Sequence, residues 1–260
     1  MSTKTVATQD LVHWLNQTLE TGRFKDYCPN GLQVEGKPVV SRIIAGVTAC
    51  EALLELAIQR GADAVLVHHG WCWKNENPVV QGPKRRRLAL ALANDLNLLA
   101  FHLPLDAHPI LGNNAQLGQK LGLKPHLDDN GRPQTCGPDD LVWLGHCPSN
   151  RTVSELAHDM AKTLAREPLV IGNPNAKPQC IAWCTGGAQG FAEAAIEAGA
   201  QLYITGEASE QNFHLANETG TAFIAAGHHA TERYGVQALG QAIKERFGVE
   251  VEFIDIDNPI

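Results

Sequence analysis

The stretch ELAIQRGADAVLVHH, residues 55–69, contains the pattern that decides the fold. Its first half has apolar residues at helical spacing, a glycine then ends the helix, and a β-rich run follows. The stretch EAAIEAGAQLYITGE, residues 193–207, matches it without a gap, and the five identical pairs include Gly61 with Gly199. The match predicts two halves of similar βαβ design, since a repeated helix, glycine and strand indicates a repeated supersecondary unit.

Short β-rich runs alternate with longer amphipathic stretches along the whole chain. The runs are SRIIAGVT, DAVLV, NLLAF, LVWLG, QCIAW, QLYIT, TAFIAA and VEVEFIDI. This alternation predicts the α/β fold class, with two interlinked α/β domains whose largely parallel strands present their carboxyl ends to a crevice. The polar, proline-rich segment 124–140 is the expected linker. We expect residues 1–125 with 227–260 to form the first domain and residues 126–226 the second.

Composition and charge exclude several classes of partner. The chain has 260 residues and a formal net charge of -7, which argues against binding a nucleic acid polymer or an anionic membrane. The start, MSTKTVATQDLVHWL, lacks the apolar core of a signal peptide, and no apolar run is long enough to span a bilayer. These features predict a cytoplasmic protein. The seven scattered cysteines are expected to be thiols, and the pair Cys180 and Cys184 lacks the spacing of a zinc site.

Histidines cluster at the ends of predicted strands. Six of the eleven fall in VLVHHGW, AFHLPLDAH and IAAGHHATE, each directly after a β-rich run. Because consecutive side chains of a strand point to opposite faces, His68 and His69 are expected to lie just past the end of theirs. Pro104 is expected to break the next strand and leave Asp106 on an irregular loop. Imidazole and carboxylate side chains at three strand ends are what a metal site at this edge of a sheet needs. The first domain is expected to carry most of the metal ligands.

Five of these side chains form the predicted ligand set. His228 and Glu232 are four residues apart, so both lie on one face of a helix that starts near them. Three imidazoles and two carboxylates suit two divalent ions about 3.5 Å apart with a bridging carboxylate, better than one catalytic zinc. Zinc, iron, manganese, cobalt and nickel all accept these donors. The predicted metal ligands are His68, His69, Asp106, His228 and Glu232.

The remaining polar residues of these groups are candidates for proton transfer. His102, His229 and Glu207 are the predicted general acids or bases, with orientation of a ligand as the other reading for both histidines. Two ions would activate a water molecule for attack on an electrophilic carbon or phosphorus. A hydrolase, a dinuclear phosphoesterase and a non-catalytic metal-binding or regulatory scaffold all remain open at this point.

Four motifs, in this order and spread across nearly the whole chain, resemble the NIF-three-like family, also labelled GTP cyclohydrolase I type 2. The motifs are CPNGLQVEG, VHHGWCWK, FHLPLDAHPILGNN and AGHHATERYG. The match is close to the bacterial YbgI branch of that family. The resemblance implies a two-domain α/β protein that assembles as a toroidal homohexamer with a dinuclear metal site, and it implies the same five ligands. For the hydrolase hypothesis, the expected substrate is a small molecule, with a guanine or related nucleotide as the candidate.

Overall fold

The computed structural model describes residues 4–260, so the first three residues of the start MSTKTVATQDLVHWL lie outside the described residues. The strands are β1 Val6–Ala7, β2 Gly31–Val34, β3 Val39–Val40, β4 Arg42–Thr48, β5 Ala64–His69, β6 Asn97–Ala100, β7 Lys124–Pro125, β8 Thr135–Cys136, β9 Val142–His146, β10 Leu169–Ile171, β11 Ile181–Trp183, β12 Leu202–Thr205, β13 Ala222–Ala225 and β14 Glu250–Phe253. The helices are α1 Thr8–Thr18, α2 Glu51–Gln59, α3 Gly82–Ala93, α4 Leu103–Ala107, α5 Asn113–Leu121, α6 Val153–Leu164, α7 Ala192–Glu197, α8 Glu210–Thr219 and α9 His228–Phe247. Short 3-10 helices cover Thr21–Arg23, Pro138–Asp140 and Gln189–Phe191.

The chain divides into two compact units. The first unit comprises Met1–Leu105 and Gly235–Asp257, and the second comprises Asp106–Tyr234 and Asn258–Ile260. The long helix α9 therefore belongs with its first residues to the second unit and with the rest to the first. Across residues 4–260, each helix is too short or too polar to cross a bilayer.

The first unit is built on a five-stranded sheet. Its strand order is β14-β4-β5-β6-β2, in which β4, β5 and β6 are parallel neighbours and β2 runs antiparallel at one edge. The apolar face of α2 supplies Leu53 and Leu54 to a core that also contains Ile44 of β4 and Val65 of β5. Each such side chain is fully buried and contributes about 1.5–3 kcal/mol relative to an exposed one. The β-branched, two-sided apolar strands are typical of a parallel sheet covered on both faces.

The second unit contains a larger, mixed sheet. Its strand order is β10-β13-β12-β11-β9-β7, with β8 also paired to β9. The strands β11, β12 and β13 are parallel neighbours, and the others are antiparallel. Helix α6 begins with a capping box, in which Thr152 and Glu155 bond each other's backbone N–H groups, and it buries Met160 against Trp183 and its neighbours. The core of this unit is thus separate from that of the first.

The two units share one design. The order β4-α2-β5-α3-β6 in the first unit corresponds to β11-α7-β12-α8-β13 in the second, and in both the three strands are parallel neighbours. The matched glycines Gly61 and Gly199 both end a helix with positive φ, +64° and +90°, which explains why glycine recurs there. The predicted α/β class with two similar βαβ arrangements is confirmed.

Segment 124–140 was expected to be a linker, and that expectation is wrong. Its strands β7 and β8 both pair antiparallel with β9, inside the second unit. Between them Leu127 pairs with Pro133, and Gly131 adopts φ +73° in the turn. The polar, glycine- and proline-containing composition therefore marks a hairpin turn, because the same residues that favour linkers also favour tight turns.

Candidate metal centre

Two adjacent histidines end strand β5 of the first unit. His68 and His69 are its last two residues, with ring centroids 4.5 Å apart. The expectation that both lie past the strand is wrong, because the pairing of β5 with β4 continues to His69. The residue that follows, Gly70, has no room for a side chain, since a Cβ there would lie 2.5 Å from the Cβ of Ala100. The two imidazoles therefore lie at the end of β5, and the residue that follows them is a glycine without a side chain.

A third imidazole joins this pair. His102 follows strand β6, and its ring centroid lies 5.1 Å from that of His68 and 5.8 Å from that of His69. One nitrogen of each ring lies within 4.8 Å of one nitrogen of each of the others. The indole of Trp73 packs edge-on against His102, with a centroid distance of 5.0 Å and an interplanar angle of 86°. Strand order alone explains this proximity, because β5 and β6 are parallel neighbours and end at the same edge of the sheet.

Each of the three rings has a fixed orientation. The partners at Nδ1 are the Phe101 carbonyl oxygen at 2.9 Å for His68, Thr48 Oγ1 at 3.1 Å for His69 and Asp26 Oδ1 at 2.7 Å for His102. A carbonyl or carboxylate oxygen only accepts, so Nδ1 of His68 and of His102 carries the proton and Nε2 carries the lone pair. This is how metal-binding histidines are held in proteins, with the second nitrogen bonded to an acceptor.

In the second unit, a histidine and a carboxylate lie in the first turn of α9. His228 begins the helix, and its Nε2 lies 3.2 Å from Glu232 Oε2. On the other side of the ring, Nδ1 lies 2.6 Å from Glu207 Oε1. Burial opposes the charged imidazole, but the hydrogen bonds and charges of Glu232 and Glu207 raise the pKa of His228 to about 9. In the metal-free protein this histidine is therefore protonated at neutral pH, and a bound cation would take the place of that proton.

Glu207 follows strand β12, at the position that matches His69 in the internal alignment. Its second carboxylate oxygen accepts a hydrogen bond of 3.2 Å from Gln189 Nε2. Both oxygens of Glu207 are thus engaged, one by His228 and one by Gln189. The contacts favour a role in orienting His228 over the predicted role in proton transfer.

Asp106 lies in helix α4, and the expectation of an irregular loop is wrong. The expectation that Pro104 breaks the preceding strand is wrong as well, because β6 already ends at Ala100. Pro104 lies in the first turn of α4, where the fixed φ of proline is suitable and its missing N–H is not needed. The buried carboxylate of Asp106 accepts hydrogen bonds at Oδ1 from Asn113 Nδ2, at 2.8 Å, and from Thr185 Oγ1, at 3.3 Å. Its position is therefore fixed from two sides within the second unit.

The loop after β11 closes around the Glu232 carboxylate. Gly186 has φ +70°, and a Cβ built there would lie 2.0 Å from Glu232 Oε1 and 3.2 Å from His228 Nε2. The hydroxyl of Thr231 accepts a 3.0 Å hydrogen bond from the Gly186 N–H, which fixes this backbone against α9. The glycine is required here on two grounds, a left-handed φ and the approach of the carboxylate.

The negative charges of Asp106 and Glu232 act on a neighbouring cysteine. Burial, together with the charges of Asp106 and Glu232, raises the pKa of the Cys184 thiol well above its usual range. Cys184 is itself buried between strand β11 and Thr185, and it is a free thiol like the other cysteines of the chain. Two buried carboxylates that act on one buried thiol are an arrangement that a divalent cation would stabilise.

His229 and Trp71 belong to the same sequence motifs as these groups. His229 is buried, and its backbone N–H donates to the Ile260 carbonyl at 2.9 Å. Trp71 is a packing residue, because its indole is buried and donates to the Ala49 carbonyl at 2.9 Å. The sequence interpretation missed Asp26 and Gly186. Asp26 lies two residues before the CPNGLQVEG motif, which is the signal that pointed to this part of the chain.

Imidazole and carboxylate groups at the strand ends of two similar α/β units define the class of this protein, an α/β protein with candidate metal-binding groups. The chain belongs to the Duf34/NIF3 (NGG1p interacting factor 3) family, whose model matches residues 6–259. The resemblance seen in the four sequence motifs is thereby confirmed.

Curated relatives cover almost the full chain. A protein of Neisseria meningitidis serogroup B is 50% identical over 254 residues, which are 98% of this chain and 99% of the relative. One of Pseudomonas aeruginosa is 51% identical over 256 residues, again 98% and 99%. Both are named GTP cyclohydrolase 1 type 2 homolog.

Solved structures agree on the fold. The structure described as protein ybgI, of unknown function, has a TM-score of 0.92 and 47% identity and covers 98% of this chain and 100% of its own. The protein TTHA1606 from Thermus thermophilus has a TM-score of 0.85 and 32% identity, with the same coverage. The fold is therefore shared with these relatives.

Proposed function

We propose that this protein is a metal-dependent hydrolase with a dinuclear centre, of the GTP cyclohydrolase 1 type 2 kind, that acts on a guanine or related nucleotide. Five residues are proposed to hold the two ions: His68, His69, Asp106, His228 and Glu232. The observation that carries the proposal is the orientation of the imidazoles. His68 and His228 are held at Nδ1 by an acceptor oxygen, so Nε2 is the nitrogen of each ring that would bind a metal ion, in His228 after the ion displaces the Nε2 proton.

The chemistry of the donors fits divalent metal ions. Imidazole nitrogens and carboxylate oxygens in this mixture suit zinc, iron, manganese, cobalt or nickel. His68, Asp106 and Glu232 are all buried, and buried ionisable groups are costly unless they are paired or bind a metal. When bound, two ions would lower the pKa of a water molecule and polarise the bond that it attacks.

The protein's own residues orient the ligands and move protons. Glu207 holds the His228 ring, and the hydroxyl and amide of Thr185 and Asn113 hold Asp106. His229 is proposed for proton transfer, with His102 as the second candidate. For a guanine nucleotide, hydrolysis at C8 would open the imidazole ring and release formate. The name shared by the relatives of Neisseria and Pseudomonas supports this reaction.

The reaction is tested with purified, metal-loaded protein and GTP, while formate, phosphate and pterin-type fluorescence are followed together. We expect formate from the wild type, no formate from Asp106→Ala, and wild-type rates from Asp129→Ala, which removes an exposed carboxylate in the 124–140 hairpin. Release of phosphate without formate would instead identify a phosphoesterase. Two bound ions per chain without any turnover would favour the non-catalytic scaffold and overturn the hydrolase proposal. The cytoplasmic location and the homohexamer remain predictions.

A further inference from the structure

The Asp26 carboxylate is buried in a network that the five proposed ligands do not explain. Its side chain is 3% exposed, although it lies in a segment of loop between α1 and β2. Four donors surround it: His102 Nδ1 at 2.7 Å, the Tyr27 N–H at 2.6 Å, Asn30 Nδ2 at 2.8 Å and the Leu103 N–H at 2.9 Å. Both carboxylate oxygens are occupied by these donors, Oδ1 by His102 and Tyr27 and Oδ2 by Asn30 and Leu103.

The same network fixes His102 at two points. Asn30 Oδ1 accepts a 2.7 Å hydrogen bond from the backbone N–H of His102, while Asp26 accepts from the ring. Backbone and imidazole are therefore both held, although His102 lies in the connection between β6 and α4. A charge-assisted bond of this length is among the stronger hydrogen bonds in proteins and leaves little freedom for the ring.

The orientation that results is the one a metal ligand needs. With the proton on Nδ1, the lone pair of His102 is on Nε2. His102 lies with His68 and His69 in one group of nitrogens within 4.8 Å, entirely inside the first unit. Three imidazoles that leave one position open form the ligand set of a catalytic zinc site, and a carboxylate behind a ligating imidazole raises its basicity.

We propose that His102 is a further metal ligand, binding through Nε2, and that Asp26 is the positioning residue that orients it. The inference rests on the proposed function, because it adds a ligand to the centre proposed there. It assigns to the first unit a set of three imidazoles that binds one divalent ion. It also moves His102 from the candidates for proton transfer to the ligands, which leaves His229 as the candidate acid or base.

The test measures metal binding rather than turnover. Zn²⁺ affinity of the full chain is measured by competition with a chromophoric chelator, and Co²⁺ is used to record the visible absorption of the bound ion. We expect Asp26→Asn to weaken Zn²⁺ binding by about 10- to 100-fold. His102→Ala should weaken it at least as much and change the Co²⁺ spectrum, which reports the number of nitrogen ligands. Asp129→Asn, at an exposed position of the hairpin, should bind like the wild type.

Non-additivity identifies Asp26 as acting through His102. The double variant Asp26→Asn/His102→Ala should bind Zn²⁺ no more weakly than His102→Ala, because the carboxylate has no ring left to orient. If Asp26→Asn and His102→Ala keep wild-type affinity and spectrum and lose only turnover, the ligand assignment is wrong. Should His102→Ala not fold, as judged by circular dichroism, His102→Gln and Asp26→Asn decide the question. A wild type that binds no divalent ion, or a His68→Ala variant with undiminished binding, would instead overturn the proposed function itself.

Discussion

Substitution of Gly186 by alanine separates backbone strain from damage to the metal centre. The added Cβ would lie 2.0 Å from Glu232 Oε1, and real Cβ atoms are not found closer than 3.0 Å, so the carboxylate must move by at least 1 Å. Metal–ligand distances tolerate only about 0.2 Å. We therefore expect Glu232 to be lost as a ligand. Removing a hydrogen-bond partner of a metal ligand typically weakens metal binding by about 10- to 100-fold. The loss of Zn²⁺ affinity in Gly186→Ala should be at least as large.

The matched control is Gly220→Ala. Gly220 has φ +72°, close to the +70° of Gly186, but nothing lies within 4 Å of the position that a Cβ would take there. Both variants should lose about 1–2 kcal/mol of unfolding free energy from the left-handed backbone. The clash adds little to that loss, because it involves the far end of a side chain, so only Gly186→Ala should lose metal affinity.

The assay is urea unfolding of both metal-free variants, followed by chelator competition for Zn²⁺. Equal Zn²⁺ affinity of Gly186→Ala and Gly220→Ala, with both folded, would refute the placement of Glu232 among the ligands. A much larger loss of stability in Gly186→Ala than in Gly220→Ala would refute the argument that the carboxylate moves aside.

Two further predictions concern single carboxylates. Glu207→Gln should lower the pKa of His228 in the metal-free protein from about 9 toward its ordinary value, because one of the two carboxylates that favour the charged ring is removed. NMR titration measures this pKa. The control Glu210→Gln, which removes an exposed carboxylate, should leave the pKa of His228 unchanged, whereas an unchanged pKa in Glu207→Gln would contradict the contact between Glu207 and His228. Asp63 accepts hydrogen bonds from Lys37 and Ser41, which outweigh burial and lower its pKa from 3.8 to about 2, worth about 2 kcal/mol of stability above pH 4. Because the pKa of Asp63 is lower in the folded state, this stability is lost as the pH falls from about 4 through 2. The difference in unfolding free energy between wild type and Asp63→Asn should therefore shrink over that range. A constant difference would show that the charge of Asp63 is not the source of the stability.

The sequence by itself determined the elements and the residues with metal chemistry. Helix, glycine and strand follow from local periodicity, and for that reason the pattern at 55–69 predicted its counterpart at 193–207. The spacing of His228 and Glu232 placed both on one helix turn, since four residues are close to one turn of an α-helix. In each case the relevant partners lie within a few residues along the chain, where the sequence pattern is directly readable.

Only the tertiary structure decided which groups hold those residues in place. Asp26 and His102 are 76 residues apart, and Gly186 approaches Glu232 from a different strand end, so no spacing rule connects them. The hairpin in segment 124–140 was not predicted for the same reason. Its strands β7 and β8 pair with β9, and this pairing depends on sheet assembly rather than on local propensity. Local preferences determine which secondary structure a segment can form. Which distant side chains come into contact is determined by the packing of the hydrophobic core within each unit.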